Sequence, residues 1–277
     1  MPTPTQLRLG AATVAVLRLG ALRVRLADWL GLAEADWPPE HRPLFAAPIE
    51  VPVQCVHLAL PGRSVLVDAC HPELLRHVGE PAAAAPGLLD QLAAVGADPG
   101  EVDTVIVTHP HFDHYCGLIA AGATPEEDRL LFPRARHLVG AADWDALREA
   151  LKSPASPVSR ALGLAARHGL VEPVAGERDL GDGVSLVPTP GETPGHQAVR
   201  VESAGETLYI LGDLYHHPVE VERPAWGVHW ADRAATSRSR ERIVAAALAE
   251  GALLIAAHIG GAGRLRRDGA GLRWEAA

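Results

Sequence analysis

The sequence predicts an α/β fold arranged as a four-layer αββα sandwich, with two mixed sheets in the centre and helices on the outer faces. Three observations favour this class. Short apolar strand segments alternate along the chain with segments of helical periodicity. Hydrophobic residues make up 48% of the 277 residues, which is enough for a large buried core. No repeat or change in composition marks a boundary, so we predict one domain over residues 1–277.

The N-terminal part contains three predicted strand regions. Residues 12–26 alternate in the β manner, and Gly20 marks a turn or bulge within them. Residues 51–60 and 64–67 form two strands that are joined by a proline–glycine turn. The intervening residues 29–48 are rich in proline and tryptophan and show no clear period. Three interpretations of this segment stay open: a flap over a pocket, a dimer contact or an ordered surface loop.

The predicted helices are recognised by their end signals and apolar spacing. Proline in the first turn and glycine at the stop indicate a helix over residues 86–96. Ser156 as the N-cap, followed by proline, indicates another over residues 156–169. Apolar spacing favours two more, over residues 141–151 and 240–250. The strands predicted in this part are 103–107, 184–187, 198–201, 208–211, 253–256 and a hairpin of 264–267 with 272–274 around Asp268-Gly269.

Composition and charge limit the classes of function. A formal net charge of −9 disfavours a nucleic-acid or anionic-membrane partner, both of which require basic surface. We expect neither a signal peptide nor a transmembrane span, and therefore a cytoplasmic location. The scattered cysteines do not form a disulfide framework, and Cys70 and Cys116 are expected to be buried thiols.

A histidine-rich motif follows the predicted strand 103–107. It consists of His109, His111, Asp113 and His114. Imidazole and carboxylate groups are the ligands that hold zinc and other first-row metals. On a turn after a strand, His109 and His111 can converge on one ion, while Asp113 and His114 point towards a second position. The motif therefore predicts a metal site instead of a polar surface loop.

Other polar residues share this placement after short apolar runs. Asp68, Asp213 and His258 each follow such a run, and His196 stands between two predicted strands. Side chains at strand ends collect along one edge of a sheet sandwich, so residues far apart in sequence can meet there. A single polar residue after a strand is usually a cap or a satisfied polar group. The repetition in one chain favours a shared site.

A known family carries this combination of residues. The chain resembles the metallo-β-lactamase fold superfamily of metallohydrolases at His109, His111, Asp113, His114, His196, Asp213 and His258, with Asp68 upstream. The resemblance implies a catalytic core in residues 51–277, preceded by N-terminal strands and a flap-like segment in residues 1–50. It also implies that His109, His111 and His196 hold one divalent ion. Asp113, His114 and His258 would hold a second, Asp213 would bridge the two, and Asp68 would orient the ligands.

The reaction implied by this resemblance is hydrolysis at a dinuclear centre. Two divalent ions, most simply zinc with manganese, cobalt or iron as alternatives, would share a hydroxide that attacks a carbonyl or phosphoryl centre. Asp213 would keep the ions together and offset their charge. Asp113 would also assist proton transfer.

The C-terminal part is similar to one branch of the superfamily. The segments 212–216, 224–226 and 269–274 resemble the methyl parathion hydrolase and lactonase-like branch, which hydrolyses lactones, esters or organophosphate triesters. His216 would then contact the substrate, and Tyr215 is a weaker candidate for the same role. The expected partner is a small molecule, and a homodimer is expected by analogy with this branch.

Two other functions fit the same ligands. One is a glyoxalase II-like thioesterase. The other is an iron-loaded redox enzyme of the same fold, because histidine and carboxylate also suit iron. The ligand set alone does not separate these alternatives from a hydrolase of lactones, esters or phosphotriesters.

Overall fold

A computed structural model describes residues 4–77, 79–83, 85–269 and 271–277. The strands in these ranges are β1 (Thr5–Leu9), β2 (Ala12–Val24), β3 (Ile49–Leu60), β4 (Arg63–Val67), β5 (Glu80–Ala83), β6 (Thr104–Val107), β7 (Ile119–Ala120), β8 (Arg129–Leu130), β9 (Arg136–Gly140), β10 (Val171–Val174), β11 (Arg178–Gly181), β12 (Val184–Pro188), β13 (Gln197–Ser203), β14 (Glu206–Ile210), β15 (Leu253–Ala256), β16 (Ile259–Asp268) and β17 (Gly271–Ala276). The α-helices are α1 (Leu26–Leu30), α2 (Arg42–Ala46), α3 (Leu88–Ala94), α4 (Phe112–Tyr115), α5 (Ala141–Ala146), α6 (Arg148–Leu151), α7 (Pro157–Arg160), α8 (Leu162–Arg167), α9 (Val219–Glu222) and α10 (Arg233–Glu250). Short 3₁₀ helices lie at Glu34–Asp36, Pro39–His41, Pro72–His77, Pro99–Glu101, Cys116–Leu118 and Pro125–Glu127.

Two mixed sheets form the centre of the fold. The first has the strand order β1-β2-β3-β4-β6-β9-β10, with β5 beside β2. Its strands β4, β6, β9 and β10 run parallel to one another. The second sheet contains β11 to β17 in chain order, and β14 and β15 are its parallel neighbours. The predicted pair of mixed sheets is confirmed.

The two sheets face each other across a shared apolar core. The first sheet contributes Val56 and Ile106 to this core, and the second contributes Leu186 and Ile210. A second cluster lies between the first sheet and α3, α7 and α8, and a third lies between the second sheet and α10. Burying each large aliphatic side chain stabilises the fold by about 1.5–3 kcal/mol. The predicted four-layer αββα sandwich is therefore confirmed.

The N-terminal part differs from the sequence prediction in two respects. Strand β1, which was not predicted, pairs antiparallel with β2. Residues 29–48, for which the sequence showed no clear period, contain the end of α1 and the whole of α2, which pack around Leu30 and Phe45. Strand β2 continues through Gly20, where its pairing with β3 shifts register, so the predicted bulge is confirmed.

Three predicted helices are shorter or interrupted. The helix expected over residues 86–96 is reduced to α3 because Gly87 acts as its N-cap. The helix expected over residues 141–151 divides at Leu147 into α5 and α6. Residues 156–169 form α7 and α8, which are separated by Ala161 with φ −90° and ψ −81°. The predicted Ser156 cap is confirmed, since its side chain accepts a hydrogen bond from Ser159 N.

Helix α10 begins earlier than the sequence suggested. It starts at Arg233 and not at residue 240, because the Asp232 side chain accepts hydrogen bonds from Ala234 N and Ala235 N. Its first half is rich in arginine and serine, so apolar spacing gave no signal for it. The helix ends after Glu250, as predicted, because Gly251 adopts the left-handed conformation. No helix among the described residues has both the length and the apolarity to cross a bilayer.

The C-terminal hairpin is confirmed, because β16 and β17 pair antiparallel with Asp268 opposite Gly271. Ala270, which belongs to the segment 269–274 used for the family resemblance, lies outside the described residues. The hairpin therefore extends the second sheet to its edge strand.

Two buried histidines make stability depend on pH. Burial lowers the pKa of His57 in β3 and of His137 in β9 to about 4, below the value of about 6.5 for a free imidazole. Between these values the unfolded chain binds more protons than the folded protein. The free energy of unfolding is therefore highest above about pH 6.5 and falls as the pH drops towards 4. Each histidine is expected to account for about 3 kcal/mol of this loss.

Urea unfolding at about pH 7 and about pH 4.5 checks this expectation. His137→Leu is expected to reduce the loss of unfolding free energy between the two pH values by about 2–3 kcal/mol relative to the wild type. His168→Leu is the matched control, because His168 is exposed. An equal loss in the wild type and His137→Leu would contradict the assignment.

Candidate metal centre

The ends of four strands bring polar side chains to one edge of the two sheets. Asp68 follows β4 and His109 follows β6 in the first sheet, whereas Asp213 follows β14 and His258 follows β15 in the second. Strands β4 and β6 run parallel, as do β14 and β15, so their C-terminal ends lie side by side. The loop between β12 and β13 adds His196 to the same edge.

Asp213 lies among the imidazoles that the sequence singled out. Its carboxylate oxygens approach four ring nitrogens: His109 Nε2 at 3.7 Å, His114 Nε2 at 3.3 Å, His216 Nε2 at 3.3 Å and His258 Nε2 at 3.4 Å. Burial raises the pKa of a carboxyl group, but the imidazoles outweigh this effect and hold the pKa of Asp213 well below its usual range. Asp213 is therefore ionised and attracts positive charge to this point.

The imidazoles divide into two classes by their pKa. Burial lowers the pKa of His109 well below its usual value and lowers that of His196 to about 4. Burial also lowers the pKa of His114, His216 and His258, but the neighbouring carboxylates outweigh it and raise the pKa of all three. The carboxylates of the centre therefore favour bound cations, whether these are protons or metal ions.

The donor atoms of the centre form two groups. The first is composed of His109, His111, Glu192 and Asp213, and the second of Asp113, His114 and His258. Within each group the donor atoms lie within 4.8 Å of one another. Three of these metal-donor atoms are buried and have no hydrogen-bond partner among the described residues: His109 Nε2, His114 Nε2 and Asp213 Oδ1. Buried nitrogen and oxygen donors that face each other in this way fit a pair of metal ions.

Asp68 holds the histidine motif in place from behind. Its carboxylate accepts hydrogen bonds from Thr108 N at 2.8 Å and Thr108 Oγ1 at 2.9 Å, and it lies 2.9 Å from His114 Nδ1. This contact leaves His114 Nε2 facing the centre. Asp68 has φ 60°, a left-handed conformation that costs about 1–3 kcal/mol for a residue other than glycine. These contacts are compatible with the orienting role that the family resemblance implies for Asp68, and that role stays a prediction.

The rings of His258 and His111 are oriented by different contacts. His258 Nδ1 hydrogen-bonds with Pro52 O at 2.9 Å, so Nε2 faces Asp113 at 3.5 Å. His111 directs Nδ1 towards Glu192 Oε1 at 3.4 Å. The backbone carbonyl under His258 fixes the ring tautomer that leaves Nε2 free to accept a cation.

His196 lies beside the two donor groups and not within them. Its Nδ1 contacts Thr189 Oγ1 at 2.8 Å and Thr189 O at 3.1 Å, while its Nε2 accepts a hydrogen bond from Asp213 N at 3.1 Å. The ring packs against His109 with a centroid distance of 5.1 Å. His196 therefore reaches the expected region of space, but both ring nitrogens are engaged by the protein.

Asp143 fixes the loop that carries His196, a role that sequence reasoning missed. Its carboxylate accepts hydrogen bonds from Thr193 Oγ1 at 2.6 Å and Gly195 N at 2.7 Å. A Cβ on Gly140 would lie 2.0 Å from Gly195 O, so only glycine permits this approach of two backbones. Asp143 lies in the first turn of α5, the helix that follows β9, and no motif in the sequence connected it with the distant loop.

His216 faces the centre from a turn that a buried ion pair supports. His216 Nε2 lies 3.7 Å from Glu192 Oε1, besides its contact with Asp213. Glu220 Oε2 accepts hydrogen bonds from His216 N at 2.5 Å and His217 N at 3.0 Å. Glu220 Oε1 in turn accepts one from Arg240 Nη2 at 2.6 Å. The sequence predicted His216 at the centre but gave no signal for Glu220.

Tyr215 does not lie where the sequence expected it. Its ring is buried in the apolar cluster between the second sheet and α10, and the Arg240 guanidinium sits 4.4 Å from the ring centroid. Burial raises the pKa of the Tyr215 hydroxyl to about 12. The alternation of side chains along the turn directs His216 to the centre and Tyr215 away from it. Tyr215 therefore has a packing position instead of the predicted substrate-binding one.

Two tryptophans cover the centre. The Trp29 ring meets the rings of His216, His258 and Trp230 edge to face, at centroid distances of 5.7, 5.9 and 5.9 Å. His229 N donates a hydrogen bond to Trp29 O at 2.8 Å, which joins the N-terminal segment to the loop before α10. Of the three interpretations of residues 29–48, this contact favours a flap over the centre. The dimer contact stays a prediction.

Cys70 and Cys116 are free and buried, as predicted. Their Sγ atoms are 3.8 Å apart. The hydrogen bond from Cys116 and burial both raise the pKa of the Cys70 thiol. A protonated Cys70 thiol does not act as a metal ligand, because the thiolate is the binding form.

A family comparison matches most of the chain. Residues 49–258 match the sequence model described as the metallo-beta-lactamase superfamily. Probable metallo-hydrolases of Mycobacterium bovis and Mycobacterium tuberculosis are each 31% identical to the chain over 151 residues, which is 52% of this chain and 47% of each relative. The chain thus matches about half the length of these curated relatives.

Solved structures share the whole fold. The chain superimposes on the hydrolase AbOPH of the beta lactamase superfamily with a TM-score of 0.81 and 19% identity, covering 100% of this chain and 98% of that one. It superimposes on AidC, a dizinc quorum-quenching lactonase, with a TM-score of 0.77 and 19% identity, covering 99% and 97%. A probable metal-dependent hydrolase from Staphylococcus aureus gives a TM-score of 0.77 at 18% identity, covering 98% and 99%.

Proposed function

Because the chain belongs to the metallo-beta-lactamase superfamily, we propose that it is a dinuclear metal-dependent hydrolase of a small lactone, ester or phosphotriester. The proposal has two parts, a pair of divalent ions held by the clustered donors and a partly apolar substrate beneath the tryptophans. AidC is described as a dizinc lactonase and AbOPH as a hydrolase, and both names support this chemical class.

The convergence of two donor groups on Asp213 carries the proposal. One carboxylate oxygen of Asp213 lies 3.3 Å from His114, a member of the second group. The other lies 3.7 Å from His109, a member of the first. A carboxylate that contacts both groups is the side chain expected between two ions, because it offsets the repulsion of their charges. Asp213 is accordingly assigned the bridging role.

The remaining ligands are assigned by group. The first ion is assigned to His109 and His111, and the second to Asp113, His114 and His258. His196 joins the first ion only if its Nε2 gives up the hydrogen bond from Asp213 N. A bound pair of such ions supplies Lewis acidity and an activated water. Zinc suits these ligands, and manganese, cobalt or iron suit them as well.

The chain's own residues then orient the substrate and move its protons. Asp68 fixes the direction of His114, and Asp113, besides its assignment to the second ion, would assist proton transfer. His216 faces the same space as Asp213, so its ring can donate a hydrogen bond to a substrate oxygen. Trp29 and Trp230 exclude water and offer ring surface to an apolar substituent.

A substrate panel tests the proposal. Protein stripped with a chelator and reconstituted with zinc, manganese, cobalt or iron is assayed on chromogenic esters, lactones, phosphotriesters, a thioester and a β-lactam. We expect hydrolysis of a lactone, ester or phosphotriester that chelation abolishes and metal restores, because the donors hold the ions reversibly. Metal content is measured alongside the rate.

Each other outcome contradicts a stated part of the proposal. Turnover that survives complete removal of metal would contradict the metal-dependent mechanism. Preferred hydrolysis of the thioester would assign the glyoxalase II-like alternative. Oxygen consumption by iron-loaded protein without hydrolysis would assign the redox alternative.

A further inference from the structure

Glu192 is a buried carboxylate in the loop between β12 and β13. Its side chain is 3% exposed. Trp230 Nε1 donates a hydrogen bond to its Oε1 at 2.6 Å, and its other close contacts are the rings of His111 and His216. The free-energy cost of burying a carboxylate is large unless a cation pairs with the carboxylate. A hydrogen bond from a neutral indole N–H compensates only part of that cost. The position of Glu192 therefore calls for positive charge close to Oε1.

The carboxylate points into the first donor group. One Glu192 oxygen and the donor atoms of His109, His111 and Asp213 all lie within 4.8 Å of one another. Within that group His109 Nε2 is buried and has no hydrogen-bond partner among the described residues. His111 directs its Nδ1 at Glu192 Oε1 from 3.4 Å. Two imidazoles and two carboxylates thus surround one point.

The loop is held firmly enough to fix this carboxylate. Gly191 O accepts a hydrogen bond from Asp232 N at 2.9 Å on one side of Glu192. On the other side, Thr193 is bonded to Asp143 at 2.6 Å. Glu192 is therefore held from both flanks, and its side chain does not need to move to reach the group.

His196 contrasts with Glu192 in the same loop. Both of its ring nitrogens are occupied, Nδ1 by Thr189 and Nε2 by the N–H of Asp213. The oxygen of Glu192 already lies among the donors of the first group, whereas His196 must first break a hydrogen bond. Among the described residues, Glu192 completes that group.

We propose that Glu192 is a ligand of the first metal ion, alongside His109, His111 and Asp213. This inference rests on the proposed dinuclear centre and specifies its composition. A second carboxylate adds negative charge to the first position. It also makes the ligand set of that position harder in the acid–base sense, because a carboxylate oxygen is a harder ligand than an imidazole nitrogen. Compared with a site of three imidazoles, this favours manganese or ferrous iron.

Cobalt binding to Glu192→Gln tests the assignment. Glutamine keeps the shape and can still meet Trp230, but it loses the charge. We expect the parent protein to bind two Co²⁺ ions, and the variant to bind one of them at least about tenfold more weakly. We also expect the visible d–d spectrum of the bound cobalt to change, because its intensity depends on the number of ligands. Glu222→Gln, a change at an exposed glutamate, is the matched control.

The outcomes distinguish this inference from the proposed function. Unchanged affinities and spectrum in Glu192→Gln would overturn the Glu192 assignment and leave the dinuclear centre standing. Weaker binding with an unchanged spectrum would also overturn it, since Glu192 would then act only through His111. A parent protein that binds no pair of ions would overturn both proposals.

A second measurement does not depend on the folding of a variant. In a crystal structure of the cobalt-loaded parent protein, a Glu192 oxygen is expected at about 2.0–2.2 Å from one ion. A separation of more than about 3 Å would overturn the assignment, because it exceeds any carboxylate–metal bond.

Discussion

In the proposed dinuclear centre, Asp213→Ala is expected to abolish hydrolysis and to release at least one of the two ions. The carboxylate contacts His109, His114, His216 and His258, so its removal takes away the anion that these rings and both ions share. We expect kcat/KM to fall at least about 1000-fold, which corresponds to about 4 kcal/mol of barrier. Steady-state kinetics and metal analysis of the purified variant measure both effects.

The control for this prediction is an aspartate that lies outside the centre. Asp145→Ala removes an exposed side chain whose pair with Arg148 is worth little. It should leave both activity and metal content unchanged. His109→Ala should behave like Asp213→Ala, because it removes a donor of the first ion. Substantial turnover in either Asp213→Ala or His109→Ala would contradict the assigned chemistry.

Glu220→Ala is expected to destabilise the protein by about 3–5 kcal/mol. Glu220 is fully buried and forms an ion pair with Arg240, which is 4% exposed. Truncation leaves the guanidinium buried without its anion and frees the backbone N–H groups of His216 and His217. Urea unfolding at neutral pH measures the loss in free energy.

The surface supplies a matched comparison for Glu220. Glu202 pairs with Arg200 and has a side chain that is 52% exposed, so Glu202→Ala is expected to cost less than about 1 kcal/mol. Because Glu220 also orients the turn bearing His216, kcat of folded Glu220→Ala should fall, whereas kcat of Glu202→Ala should not. Equal unfolding free energies for the two variants would refute the role given to the buried pair.

The strand-end residues were predictable because β structure imposes their placement. Apolar runs of a few residues identify buried strands, and the polar residue after each run must lie at a sheet edge. His109, Asp213 and His258 follow this rule, and the structure brings them together. The family resemblance added the grouping of these residues, which spacing along the chain does not contain.

Other residues that support the centre could not be predicted, for physical reasons. Arg240 lies in the middle of α10, where an arginine normally indicates a solvent-exposed position. It is buried because it pairs with Glu220 and lies over the Tyr215 ring. The sequence could not reveal that partner twenty residues away. Glu192 was missed because the surrounding glycines and prolines indicate only a turn. Its chemistry appears once Trp230 and His111 are folded against it.

The centre draws its donors from both sheets, and this has a mechanical consequence. His109 and His114 follow β6 of the first sheet, whereas Asp213 and His258 follow β14 and β15 of the second. Ions bound between them would therefore cross-link the two halves of the sandwich at its rim. Separation of the halves during thermal breathing would then require rupture of metal–ligand bonds. Free metal concentration would thereby govern the heat resistance of the entire molecule, far beyond the few side chains that touch the ions.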